Sequence, residues 1–166
     1  MKRLPLLQLT VLLSVLIFYA CGSAQSVAER EKLAVDVRNA VEIPEFTFSA
    51  TFAYPTGYKS IYLSPYYDVK VFPDKVTVYL PYYGRAYRAP MNPAEGGYRF
   101  TSTNFEYQIE EGKKKGNWIA VITIRDQDRP ITFSFDIWEK GTARLTVNDA
   151  DRQPISFQGD LEVGTE

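Results

Sequence analysis

The chain has no histidine, and its only cysteine, Cys21, stands at the end of its one long apolar run. Those two scarcities exclude serine–histidine and cysteine–histidine nucleophilic machinery. They also exclude zinc sites built from imidazole or several thiolates. A single cysteine cannot form a disulfide within the chain, so stability must come from apolar packing. No Gly-x-Gly-x-x-Gly or Walker-type phosphate loop occurs. There is no basic tract for nucleic acid and no polybasic membrane anchor. These absences argue against an enzyme and call for no cofactor and no metal.

What is present begins with Met1-Lys2-Arg3, then apolar residues from Leu4 to Ala20. A basic start and a short apolar core read as a secretory leader over residues 1–20. No later apolar run is long enough to span a bilayer. Two cleavage points compete. Phe18-Tyr19-Ala20-Cys21 resembles a lipobox, which would place a lipid on Cys21 and anchor the chain in a membrane. Gly22-Ser23-Ala24 fits ordinary signal-peptidase cleavage. An unpaired cysteine in an exported chain asks for a reason, and lipidation supplies one. Of 19 basic residues, losing Lys2 and Arg3 leaves 17 against 20 acidic ones, a net charge of −3. The expected location is the outer membrane, facing the periplasm.

About 146 residues follow the leader, enough for one domain that buries ~68% of its unfolded surface. Residues 21–43 read as a tether and helix, and residues 44–166 as one β-rich domain. Ser26-Val27-Ala28-Glu29 is a capping box. Leu33, Val37 and Val41 recur every four residues behind it, which predicts a helix ending before Pro44. The period then changes to two. Phe46, Phe48, Ala50 and Phe52 alternate with Thr47, Ser49 and Thr51. Similar strands are predicted at Val69–Val71, Val76–Leu80, Tyr98–Glu110, Trp118–Ile124, Ile131–Ile137, Ala143–Val147 and Ile155–Val163. The Tyr98–Glu110 strand is long and its alternation shifts near Thr103, the mark of a bulge. Trp118–Ile124 is apolar on both faces and reads as a central strand. About eight antiparallel strands with one apolar face must roll up. The expected fold is mainly β: a half-open or closed barrel with one N-terminal helix, or else a two-sheet sandwich.

One stretch breaks the regular series. Leu80-Pro81-Tyr82-Tyr83-Gly84-Arg85-Ala86-Tyr87-Arg88-Ala89-Pro90 sets three tyrosines, two arginines and a glycine between two prolines. Pro81 cannot donate a ladder hydrogen bond, so the strand before it should end there. Roughly 15 irregular residues result, a length that tends to be functional or packed down by its own side chains. Gly84 should supply a positive φ or a close backbone approach. Arg85 either ties down loop carbonyls or anchors an anion, since its planar fork suits carboxylate and phosphate. Tyr82, Tyr83 and Tyr87 are either packed aromatics or a stacking wall. Arg152 follows a turn and either caps it, pairing with Asp149 or Asp151, or joins a binding mouth. Asp126-x-Asp128 and Asp149-x-Asp151 lie in hairpin turns, where aspartate commonly bonds its own backbone. Calcium needs six to eight oxygens, more than these pairs offer.

Three segments carry a family resemblance. They are Tyr66–Val71 leading to Leu80–Pro90; Gly97-Tyr98-Arg99-Phe100; and Gly141–Val147 with Asn148 and Arg152–Gly159. Together they resemble a Bacteroidota family of exported, lipoprotein-like proteins that carry domain of unknown function 4251. The resemblance implies envelope export and a compact β-rich domain. It carries over no activity and no catalytic residues. Two functions fit. The leading one is a non-catalytic structural or protein-interaction module of the envelope with a filled core. The alternative is a barrel holding an apolar or amphipathic, lipid-like small molecule against Phe46, Phe48, Phe52, Phe133, Phe135 and Phe157. The tyrosine-rich stretch would then act as its gate.

Overall fold

The computed structural model describes residues 27–88 and 96–163. The leader, Cys21, both cleavage points, Ser26 of the capping box, Pro90 and Pro93 lie outside the described residues. The chain divides into two compact units, Met1–Leu33 and Ala34–Glu166. The described part of the first is helical, residues 27–33, and belongs to helix α1 over residues 27–42.

The second unit contains ten strands among the described residues. In chain order they are β1 (Phe46–Pro55), β2 (Ile61–Tyr62), β3 (Asp68–Val71), β4 (Val76–Pro81), β5 (Gly97–Ser102), β6 (Phe105–Glu111), β7 (Asn117–Ile124), β8 (Ile131–Trp138), β9 (Thr142–Asp149) and β10 (Arg152–Glu162). They form one sheet in the order β5-β4-β3-β1-β10-β9-β8-β7-β6, with β2 paired to β1. Every pairing is antiparallel. The sheet is a nearly closed barrel with an unsealed seam between β5 and β6. The expected barrel is therefore the observed one, and the sandwich is not.

Eight expected strands become ten for two reasons. β2 is only two residues long, too short to show alternation. The long Tyr98–Glu110 strand is cut at Thr103–Asn104. There the Asp126 carboxylate accepts the amides of Thr103 and Asn104 at 3.2 and 3.4 Å, and the Arg125 amide donates to the Asn104 carbonyl. The first half pairs with β4 and the second with β7. The two edges of the sheet are thus joined covalently at this corner rather than by a ladder. β7 lies one place from the sheet edge instead of at its centre.

The core follows the alternation. Phe48, Phe133, Phe135, Phe157, Ile122, Ile137 and Leu145 are fully buried. Phe46 and Phe48 both meet Phe135 edge-on at 5.7 Å. Each such buried ring contributes ~2 kcal/mol by area removed from water. These phenylalanines fill the interior against one another. One of the expected set departs: the β1–β10 register slips between Ala50 and Phe52, so Thr51 is an extra residue. The parity inverts, Ala53 is buried in Phe52's stead, and Phe52 turns outward against Tyr62 at 5.3 Å. At the same ladder Gly159 leaves no room for a side chain, because a Cβ there would overlap the Ser49 carbonyl oxygen.

Within the second unit, Val37 and Val41 of α1 are fully buried. The Tyr107 hydroxyl, from β6, donates to the Val41 carbonyl at 2.6 Å and satisfies one of the orphan acceptors at the helix end. Burial pushes the Tyr107 hydroxyl pKa well above its ordinary value.

Candidate functional site

The Pro81 strand stop, the Gly97 strand start and two hairpin turns converge on one rim of the sheet. They line a half-open cavity of about 720 Å³. β4 and the residues after it contribute Leu80, Tyr82 and Tyr83, β5 contributes Tyr98 and Arg99, the β7–β8 turn Arg129, and the start of β10 Arg152. Register explains the meeting. Pro81 pairs with Gly97 and Leu80 with Tyr98, which sets the tyrosine-rich segment beside the start of β5. Gly97 is required there, since a Cβ would run into the Leu80 carbonyl oxygen.

The segment after β4 is packed down, as its tyrosine content implied. The Tyr82 hydroxyl lies 2.8 Å from the Arg85 carbonyl and 3.2 Å from the Gln153 carbonyl, so its one proton is shared between them. Ala86 makes an isolated antiparallel bridge with Arg152. The Tyr87 amide donates to the Asp151 carbonyl at 2.7 Å, and the Gln153 amide to the Arg85 carbonyl at 3.0 Å. Gly84 has no positive φ. Of its two expected roles it takes the close approach, since a Cβ would stand 2.8 Å from the Tyr82 hydroxyl.

These contacts sort the five residues singled out from sequence. Tyr82, Tyr83 and Arg152 line the cavity. Arg85 and Tyr87 are exposed, do not line it, and hold the segment by their backbones. Cys21 lies outside the described residues.

Arg152 is the centre of the cavity wall. Its side chain is 12% exposed. The guanidinium lies 4.9 Å from the ring centroids of both Tyr82 and Tyr98, a cation–π contact with two rings on one side of it. It donates to the Gly97 carbonyl at 3.2 Å. Its Nε is 3.8 Å from the Asp149 carboxylate, beyond hydrogen-bond reach. Asp149 is already taken: Arg129 grips both its oxygens, and the Asp151 amide donates to it at 3.0 Å. Burial alone would raise the Asp149 pKa, yet the Arg129 fork, the amide and the two guanidinium charges hold it below the usual carboxylate range.

Tyr98 is 3% exposed and its hydroxyl has no hydrogen-bond partner among the described residues. Its ring stands edge-on to Tyr82 at 6.0 Å and to Phe133 at 6.2 Å. Burial drives the hydroxyl pKa far above its ordinary value, so it is a neutral donor at any physiological pH. On the outer side of the rim Tyr79 stacks on Tyr67 at 5.3 Å, and Arg99 lies over Tyr79 while donating to its hydroxyl at 2.9 Å.

Asp149 is the expected partner of Arg152, as an ion pair at 3.8 Å, whereas Tyr98, Arg99 and Arg129 do not stand out in the sequence as members of this site, because each sits within or beside a regular strand. The signal for Tyr98 was its parity: a polar-tipped aromatic on the inward face, directly after a glycine. Among the described residues, no three of the acidic or thiol side chains gather as metal ligands. No helix among them is long and apolar enough to cross a membrane.

No curated protein matches the chain. A crystal structure of a DUF4251 family protein from Bacteroides eggerthii DSM 20697 is similar in fold, with a TM-score of 0.59 at 15% identity. The alignment covers 79% of this chain and 87% of that one. The family profile for Domain of unknown function (DUF4251) matches residues 28–161, a span that takes in most of α1, the described strands except the last residue of β10, and every residue of the cavity. The segments Tyr66–Pro90, Gly97–Phe100 and Gly141–Gly159 all fall inside that span, and the chain belongs to the DUF4251 family.

Proposed function

We propose that the chain is a non-catalytic binding module of the cell envelope, exported by its leader, anchored through a lipid on Cys21, and facing the periplasm. Its binding site is the tyrosine–arginine cavity at the β5 rim. One observation carries this reading: a cavity of about 720 Å³ walled by tyrosine rings and by the Arg152 guanidinium, which has hydrogen-bonding capacity to spare. That volume falls in the usual range for small-molecule sites. The interior phenylalanines are not the site, since they pack on one another. A catalytic role finds no support in the cavity, where the buried carboxylate Asp149 is committed to Arg129 and histidine is absent.

Native mass spectrometry of the full chain extracted from membranes tests the reading. We expect a bound small molecule, with occupancy reduced by Tyr83→Ala and unaffected by Arg85→Ala. An apo mass alone, persisting after incubation with envelope extract, would overturn it.

A protein-interaction role has its own support. Tyr58, Tyr62 and Tyr66 are 71%, 72% and 75% exposed, and the Thr51 bulge adds Phe52 and Tyr54 to that outer face. Exposed aromatic groups of this kind mark partner surfaces.

A further inference from the structure

We infer that the cavity takes an acidic ligand, whose carboxylate or phosphate is received by the Arg152 guanidinium. This rests on the cavity being a binding site.

Arg152 carries five N–H donors. Among the described residues it makes one hydrogen bond, the 3.2 Å contact to the Gly97 carbonyl. The nearest carboxylate, Asp149, lies 3.8 Å from its Nε, an ion pair beyond hydrogen-bond reach, and already accepts from Arg129 and the Asp151 amide. The spare Arg152 donors are not sealed off, whereas the Tyr98 hydroxyl, the one buried side-chain polar atom without a partner among the described residues, is. Spare guanidinium donors on a cavity wall suit an acceptor with several lone pairs, which describes an oxyanion.

The charged residues of the lining are Arg99, Arg129 and Arg152 against Asp128, with Arg129 paired to Asp149 and Asp151 and Arg152 3.8 Å from Asp149. The Tyr82 and Tyr98 rings stand edge-on to each other, 6.0 Å apart, and both lie to one side of the guanidinium, which leaves its other side without an aromatic cover among the described residues. The planar fork of a guanidinium suits bidentate recognition of carboxylate and phosphate.

The test uses three probes of similar shape: benzoate, phenyl phosphate and neutral benzamide. Each is titrated into the full chain in detergent by isothermal titration calorimetry. We expect at least one of the two anions to bind, ~10-fold or more tighter than benzamide, as one charge-assisted contact allows. The better anion distinguishes a carboxylate site from a phosphate site. Arg152→Met should abolish the preference, and Arg152→Lys should keep part of it. Circular dichroism checks that each variant is folded, and Arg152→Lys carries the test if Arg152→Met is not. Benzamide binding as well as the anions would overturn the acidic-ligand inference and leave the cavity as a binding site. Failure of all three probes at millimolar concentration would overturn the inference. An apo-only mass in the native experiment would remove the binding site itself.

Discussion

Replacing Tyr98 by phenylalanine should stabilise the protein. The change deletes one oxygen and leaves the ring. The edge-on contacts to Tyr82 at 6.0 Å and Phe133 at 6.2 Å therefore persist, as does the aromatic face beneath Arg152. What disappears is a hydroxyl that is shielded from water and bonded to nothing among the described residues. Leaving such a group unsatisfied costs about 1–3 kcal/mol. Part of that cost is recovered by relaxation, so a gain of about 1 kcal/mol is expected. With a urea slope of roughly 2 kcal/mol per molar, the midpoint should rise by ~0.5 M, and the thermal midpoint by roughly 3 °C. The neighbouring Tyr82→Phe is the internal control. Its hydroxyl is bonded to the Arg85 and Gln153 carbonyls, so its loss should lower stability by about 1 kcal/mol. Two adjacent tyrosines should thus respond with opposite signs. If Tyr98→Phe lowers stability by 1 kcal/mol or more in the absence of ligand, the hydroxyl is bonded in the free protein. The cost assigned to an unsatisfied hydroxyl then fails.

Gly97→Ala should cost roughly 1–3 kcal/mol in urea unfolding, since its methyl group meets the Leu80 carbonyl and forces the ends of β4 and β5 apart. Tyr98 and Tyr107 both have hydroxyls raised above the ordinary value of 10.0 by burial. Above that pH the unfolded chain releases these protons while the folded one retains them. Stability should therefore be steady below it and fall as pH rises beyond it, and Tyr98→Phe or Tyr107→Phe should each flatten that fall by one proton. Tyr107→Phe should also lose about 1 kcal/mol at neutral pH with its bond to Val41. Asp149 works in the opposite direction: its folded pKa is depressed, so its contribution is present above the ordinary 3.8 and is lost as pH falls through the folded value. Asp149→Asn should cost roughly 1–3 kcal/mol at pH 7, and the gap to the parent chain should close in acid.

The strands were readable because a half-buried strand writes its two faces in alternate residues, and β4, β8 and β9 follow that pattern without interruption. β1 shows where the pattern is ambiguous. Phe46-Thr47-Phe48-Ser49-Ala50-Thr51-Phe52 alternates cleanly, but Ala53 is also apolar, so a bulge at Thr51 trades one acceptable inward residue for another. Only pairing with β10 decides between them, and pairing is not local. The corner at Thr103–Asn104 was visible as a shift in parity. That it separates the two edges of the barrel depends on Asp126 reaching back from the β7–β8 turn. The site was half legible for a similar reason. Tyr82 and Tyr83 stood out because Pro81 ends a strand before them, and Arg152 because it follows a turn. Arg85 and Tyr87 were equally conspicuous, but the bridge at Ala86 directs their backbones to the β9–β10 turn and their side chains away from the cavity lining. Tyr98 was hidden inside a strand, and nothing local reveals that its hydroxyl lacks a partner.

The most direct measurement follows the Arg152 Nε–H resonance of the isotope-labelled full chain in detergent as benzoate, and separately phenyl phosphate, is titrated in. A bound oxyanion should shift that resonance downfield in a saturable manner, with the largest backbone changes at Gly97, Tyr98 and Arg152 and none at the exposed Tyr62 face. A silent Arg152 resonance with shifts elsewhere on the barrel, or no saturable change with either anion, would contradict the account.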